Sequence, residues 1–161
     1  MVTGIVIPHE TNRALQKVEF EGLTDYQTAV GSYIETVKMD GHELVIVADE
    51  DGKVKQLPIN RRATCLWWLL NPVEIGGDFL VGDVVILGAG RAGSMNDVPA
   101  SLAALLSEST SFQVKVCLSK GFDTWIPIGE PVADFFEATT RALKLMEVWR
   151  PPEEVKVVAV D

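Results

Sequence analysis

Short runs of β-branched and other apolar residues recur along this chain, and residues that favour turns separate them. Runs of about four to eight such residues, bounded by turn residues, are typical of buried strands. Residues 16–20 instead alternate polar and apolar side chains, as a half-buried strand does. The pattern predicts strands at 4–7, 16–20, 42–48, 83–87, 112–118, 124–128 and 155–160.

Helical patterns separate these strands. From Tyr26 to Val37, apolar residues follow each other at helical spacings, and Thr24 with Gln27 has the form of a capping box. Asn60 stands where it would cap a very apolar helix that ends before Pro72. Two further helices are predicted at 97–107 and 132–149.

The order of the elements favours one fold class. Strands and helices interleave irregularly, and Asp51-Gly52 predicts a tight hairpin whose second strand is 54–57. We therefore predict an α+β fold with a mixed, mainly antiparallel sheet packed with about four helices in a single compact domain. Within it, residues 1–90 form an N-terminal α+β module, and residues 91–161 form a C-terminal α/β extension packed on it.

The net charge of −9 limits the expected partners. Lysine and arginine bind phosphate backbones, and the longest basic run here is Arg61-Arg62, so nucleic acid is not an expected partner. An acidic mimic of nucleic acid would concentrate its charge on one face. Acidic residues here are scattered apart from residues 49–51, so an acidic mimic is the least favoured function.

No cofactor or metal is expected. His9 and His42 are the histidines of the chain, and neither has neighbouring ligands at a zinc-site spacing. Cys65 and Cys117 lie among apolar residues and are predicted to be buried free thiols. Since no nucleophile-elbow motif is present, an enzyme is the less favoured class.

The location predicted from the sequence is the cytoplasm, without membrane contact. The N-terminus lacks the basic and apolar regions of a signal peptide. No apolar run approaches the roughly 18–20 residues that span a bilayer.

Four segments in the first half of the chain carry a family resemblance: Leu23–Gly31, Asp49–Gly52, Leu57–Thr64 and Gly82–Gly88. Their order resembles a small uncharacterised domain family of actinobacteria and of the phages that infect them, over roughly residues 3–92. The family has no assigned activity, so the resemblance implies no catalytic residues. It does imply an accessory gene of a phage or mobile element that acts in a bacterial cytoplasm.

Asn60, Arg61 and Arg62 form the best polar candidate site, at the predicted N-terminus of a helix. Free N–H groups there favour anions, and arginine binds phosphate or carboxylate in a bidentate manner. Arg91 joins the site if the loop 88–96 folds back. In the alternative interpretation, one arginine pairs with a local carboxylate and the other is solvated.

Residues 88–93 match the glycine pattern of a dinucleotide-binding loop. That loop must lead at once into a helix whose N-terminus meets the pyrophosphate. Here residues 94–96 intervene, so a connecting loop is the favoured interpretation.

Trp67, Trp68 and Trp149 are candidate interface residues, because tryptophan is enriched at binding hot spots. Adjacent residues of a helix point about 100° apart, so Trp67 and Trp68 do not both face one core. The leading hypothesis is a non-enzymatic accessory protein that binds a host protein, with self-association into a homo-oligomer kept open. A module that binds a nucleotide or phosphorylated metabolite ranks second, and the acidic mimic of nucleic acid ranks third.

Overall fold

The computed structural model describes residues 1–39, 41–119, 124–148 and 151–160. The chain divides into two units, Met1–Ala103 and Ala104–Asp161, and the boundary falls within helix α3 (Ala100–Ser107). Both units combine α-helices with antiparallel sheets. The predicted α+β class is therefore confirmed. No helix in the described ranges has both the length and the apolar character needed to cross a membrane.

The first unit is built on a six-stranded antiparallel sheet. Its strands are β1 (Val2–Ile7), β2 (Gln16–Phe20), β3 (Ile34–Met39), β4 (Leu44–Asp49), β5 (Val84–Ala89) and the short β6 (Met95–Asn96). They are arranged in the order β2-β1-β5-β4-β3, and β6 pairs with the end of β5. The central strands β4 and β5 are buried along nearly their whole length, which explains their uninterrupted apolar sequences.

Helix α1 (Leu23–Val30) packs on one face of this sheet. Its Tyr26 ring stacks on Phe20 with ring centroids 4.8 Å apart. The core on this face consists of Val6, Phe20, Tyr26, Val30, Val45, Val47, Val85 and Leu87. Alternate residues of the same strands, such as Ile5, Ile46 and Ile86, point to the other face and are also almost completely buried.

The helix predicted from Tyr26 to Val37 is wrong beyond Val30. Gly31 adopts a left-handed backbone with φ 91° and donates its N–H to the Gln27 carbonyl, which ends α1. Residues 34–39 then pair with β4 as the edge strand β3. The predicted capping box is also wrong, because Gly22 is the N-cap and no side chain caps the helix.

The hairpin predicted at Asp51-Gly52 is wrong as well. Strand β4 already pairs with β3 on one side and β5 on the other, so no edge is open to residues 54–57. Residues 50–56 form successive turns instead. Gly52 is required by close packing, since a Cβ atom there would lie 2.7 Å from Cγ2 of Val81.

Helix α2 (Arg61–Leu70) follows in the first unit, with Asn60 as its N-cap as predicted. It buries Ala63, Leu66, Trp67 and Leu69. Its nearly continuous apolar sequence is explained by this burial.

The second unit has a three-stranded sheet of β7 (Phe112–Cys117), β8 (Ile126–Val132) and β9 (Glu154–Ala159), in the order β8-β7-β9. Helix α4 (Phe135–Leu145) is capped by Asp134, whose carboxylate accepts hydrogen bonds from the N–H groups of Phe136 and Glu137. The Phe135 ring meets the Phe112 ring edge to face, with centroids 5.7 Å apart. This contact fixes α4 on the sheet of its own unit.

Candidate functional site

Asn60 is completely buried at the start of α2. Its Oδ1 accepts a hydrogen bond from Ala63 N (3.0 Å), and its Nδ2 donates to the carbonyls of Ile7 (2.8 Å) and Gly82 (2.9 Å). The side chain thus joins α2 to the end of β1 and to the turn before β5. Because it has no exposed surface, Asn60 serves the fold in this structure, and a ligand cannot reach it.

Arg62 holds the loop that follows β1. Its Nη2 donates to the carbonyls of Pro8 (2.8 Å) and Glu10 (3.0 Å). Arg61 is exposed. Arg91 lies beyond the opposite end of β5 from Gly82, and a six-residue strand spans roughly 20 Å. The structure therefore keeps Asn60 and Arg62 together and places Arg91 elsewhere.

The glycine-rich loop is the connection of a hairpin between β5 and β6. Gly90 N donates to Ser94 O, and Ser94 N donates to Arg91 O. Residues 95 and 96 then pair with Ala89 and Gly88. The next α-helix begins at Ala100, so the loop does not present the N-terminus of an α-helix as a dinucleotide site requires.

The two adjacent tryptophans of α2 have different surroundings. Trp67 is 5% exposed and has almost no surface to offer a partner. Trp68 is half-buried, and its indole N–H donates to the Asp78 carbonyl (2.9 Å). Trp149 lies outside the described residues.

A surface formed by uncharged residues lies along the outer side of α1 and the turn after it. Leu23 is 58% exposed and Tyr33 is 69% exposed. An open hollow of about 420 Å³ is lined by Thr24, Gln27, Thr28, Gly31, Ser32 and Tyr33. We call these six residues together with Leu23 the α1 surface.

A second hollow, of about 370 Å³, lies between α1 and the strands β1 and β2. Val6, Val18 and Phe20 are among its apolar residues, and Arg13 and Asp83 are among its polar ones. We call it the outer hollow.

His9 lies beside the outer hollow and is oriented by Asp83. Its Nδ1 and its backbone N are 2.8 Å and 2.9 Å from Asp83 Oδ1. A histidine oriented by a carboxylate is one part of a nucleophilic triad. Such a triad also needs a nucleophile, and among the described residues that line the outer hollow Thr28 has a hydroxyl group. This hydroxyl donates to the Thr24 carbonyl at 2.9 Å. That hydroxyl is therefore engaged within α1.

A third, charged cleft of about 250 Å³ has Glu35, Asp49, Lys53 and Asp78 among its lining residues. Lys53 forms an ion pair with Asp78 and lies 4.9 Å from the centroid of the Phe79 ring. Burial raises the pKa of Asp78, but hydrogen bonds from Lys53 and from the Phe79 N–H, with the charge of Lys53, outweigh it. The pKa of Asp78 therefore lies below its ordinary value.

We expect Lys53→Met to raise the pKa of Asp78, because both the charge and the side-chain hydrogen bond are lost. In the native protein, this pair stabilises the fold above the unfolded-state pKa of about 3.9, and that stability is lost as the pH falls through the lower folded-state pKa. An NMR titration of the Asp78 carboxyl measures the change. Lys17→Met, outside this cleft, is the control and should leave the titration of Asp78 unchanged.

Metal-binding groups are not clustered in the described parts of the chain. No three or more His, Cys, Asp or Glu side chains there are placed to hold one ion.

A family model described as "Domain of unknown function (DUF3846)" matches residues 2–111. The chain belongs to the DUF3846 family. The match confirms the predicted resemblance to an uncharacterised domain family and extends it beyond residue 92. No curated protein and no solved structure matches the chain.

In this DUF3846 protein, several motif residues serve the fold: Asn60 and Arg62 hold segments together, and Gly52 and Gly88 allow close packing. The α1 surface was missed by sequence reasoning because Tyr33 was assigned to the buried face of a longer helix. Gly31 was the available signal, since glycine commonly ends a helix in the left-handed conformation. A helix that ends there removes Tyr33 from its apolar face.

Proposed function

We propose that this DUF3846 protein is a non-enzymatic accessory protein of a phage or mobile element, and that it binds a host protein in the bacterial cytoplasm. The α1 surface is the binding site in this proposal. The phage or mobile-element origin and the bacterial cytoplasm in this proposal rest on the family resemblance described under the sequence analysis.

The observation that carries the proposal is that all seven residues of the α1 surface are uncharged, in a chain with a net charge of −9. Lys55 contacts this surface at its edge, where its Nζ donates to Ser32 Oγ at 2.8 Å. The centres of protein interfaces are depleted in charged residues and enriched in tyrosine. Tyrosine also supplies a large contact area at a low cost in conformational entropy. Tyr33 beside an open hollow offers both an anchor and a pocket for a partner side chain.

Candidate polar residues elsewhere support a binding role over catalysis. Asn60 and Arg62 are occupied by main-chain carbonyls, and the Thr28 hydroxyl that lines the outer hollow near His9 is engaged by the Thr24 carbonyl. The α1 surface, by contrast, is open to solvent at Leu23 and Tyr33.

We expect Tyr33→Ala to weaken binding of the host partner by about 30-fold, the effect of losing a hot spot of about 2 kcal/mol. The partner is first captured from a bacterial lysate and identified by mass spectrometry. Its affinity for the purified protein and for the variants is then measured by calorimetry.

Val73→Ala is the matched control, because Val73 is 90% exposed and does not belong to the α1 surface. Its affinity should equal that of the native protein. Equal affinity of Tyr33→Ala and the native protein would remove the α1 surface as the binding site. Thermal unfolding of both variants should resemble that of the native protein, since both side chains are exposed.

A further inference from the structure

Strand β2 is an edge of the sheet in the first unit. It pairs with β1 without a bulge, from Val2 opposite Phe20 to Val6 opposite Gln16. Gln16, Lys17 and Glu19 are exposed. In an antiparallel strand, alternate residues direct their N–H and C=O groups away from the paired neighbour. The outer edge of β2 is therefore a template for a further strand.

Edge strands are commonly protected by proline, bulges or charge. Strand β8, an edge in the second unit, has Pro127 and Pro131 and a bulge in its pairing with β7. Strand β2 contains neither proline nor bulge. Its protection rests on one lysine and one glutamate.

These two charges are complementary when β2 meets a second copy of itself. In an antiparallel pair of β2 strands centred on Val18, Lys17 lies opposite Glu19 of the second copy, and Glu19 lies opposite its Lys17. Gln16 then lies opposite Phe20. Opposite charges directly across a strand pair are stabilising, whereas like charges are destabilising.

The symmetry of such a pair selects the register. A two-fold axis normal to the sheet keeps each side chain on the same face of the sheet in both copies. Two residues that face each other across the axis must therefore differ by an even number in sequence position. Lys17 and Glu19 satisfy this condition. In the edge strand β3, Glu35 and Lys38 are three positions apart and point to opposite faces, so they cannot pair in this way.

Strand β9 is the other edge of the sheet in the second unit, and it has Glu154 and Lys156 two positions apart. Both strands have a charge with a local contact: Lys156 Nζ lies 4.0 Å from the centroid of the Trp125 ring, and the Glu19 carboxylate accepts a hydrogen bond from Thr3 Oγ1 at 2.7 Å. The two strands differ in position, because a pair centred on Val155 would begin at the first residue of β9 and engage half of its length. Strand β2 is therefore the better candidate.

We propose that two copies of this protein associate through β2, and that their sheets continue into one antiparallel sheet across a two-fold axis at Val18. Val18 is partly buried against the core on the face that α1 covers, and it lines the outer hollow. The two outer hollows therefore adjoin at the axis, where the two Val18 side chains meet. The α1 surface shares Thr28 with the outer hollow but contributes no residue to the strand pairing, so this inference does not depend on the host partner.

A charge exchange tests the register, with the mass in solution measured by sedimentation velocity over a dilution series. The native protein should be a dimer. Lys17→Glu and Glu19→Lys should each raise the dissociation constant of the dimer at least tenfold, because like charges then face each other twice in each dimer. The double variant with both substitutions should regain the native dissociation constant.

Lys38→Glu, on the edge strand β3, is the control and should remain dimeric. Thermal unfolding of each monomeric variant shows whether it is folded. A folded native protein that is monomeric at all concentrations would overturn the proposal. A dimer that tolerates either single charge reversal would overturn it too, since it would use another surface.

Disulfide trapping with cysteine variants tests the position of the axis. Opposite Cα atoms in antiparallel strands are about 4.5–5.5 Å apart, within the range of a disulfide. Val18→Cys should therefore give a covalent dimer on mild oxidation, whereas Gln16→Cys, which faces Phe20, should not. Equal cross-linking of the two variants would contradict a two-fold axis at Val18.

Discussion

An Asn60→Ala variant is expected to lose about 3–7 kcal/mol of unfolding free energy. The substitution removes an N-cap, which costs about 1 kcal/mol, and leaves the carbonyls of Ile7 and Gly82 without the donor that satisfies them. Each unsatisfied buried group costs about 1–3 kcal/mol. Urea unfolding followed by circular dichroism measures the loss.

Two further variants separate the contributions. Asp134→Ala removes an exposed N-cap, that of α4, and should cost about 1 kcal/mol. Asn60→Asp keeps the acceptor for Ala63 N but buries a carboxylate beside two carbonyl oxygens. Its stability should rise as the pH falls, because the protonated acid donates a hydrogen bond again. An Asn60→Ala loss no greater than that of Asp134→Ala would show that the two carbonyl bonds contribute little.

Asn60 also shows which structural roles can be predicted from sequence. Its place before an apolar helix predicts the N-cap, and the structure confirms it. The bonds to Ile7 and Gly82 join residues 53 and 22 positions away, which no local pattern reveals. Arg62 likewise donates to distant carbonyls, those of Pro8 and Glu10, so both predicted ligand groups are engaged within the fold.

Strand prediction succeeded where burial is strongest. Strands β4 and β5 have continuous apolar sequences because both of their faces are covered, and both were predicted. Strand β3 was missed because it is a half-exposed edge whose apolar residues, Ile34 and Val37, have a helical spacing. Pairing with β4 decides its conformation, and tertiary contacts of this kind override local preference.

The error at β3 concealed the α1 surface. Residues 31–33 lie between α1 and β3, so placing them in a helix assigned Tyr33 to a core. Once α1 ends at Gly31, Tyr33 is exposed beside the hollow. The α1 surface can therefore be inferred only when the end of α1 is placed at Gly31.

Gly88→Ala is expected to lower the unfolding free energy by about 2–4 kcal/mol, near the upper end of the cost of overpacking. A Cβ atom at this position would lie 2.3 Å from the carbonyl oxygen of Asp97. That oxygen cannot move away easily, because the adjacent chain is tied to β1 at Thr3. Thr3 N donates to the Asp97 carboxylate, and Val98 N donates to Thr3 O, each at 2.8 Å.

Gly77→Ala provides the comparison, since its Cβ would make an ordinary contact, 3.5 Å from the Glu74 carbonyl oxygen. Its stability should stay within about 0.5 kcal/mol of the native protein. Urea unfolding of the free protein, with no ligand added, distinguishes two explanations of the glycine pattern. If Gly88 is required by the hairpin, the Gly88→Ala variant is destabilised without any ligand. If Gly88 were required by a bound phosphate, the free variant would be as stable as the native protein, and the loss would appear in ligand affinity alone.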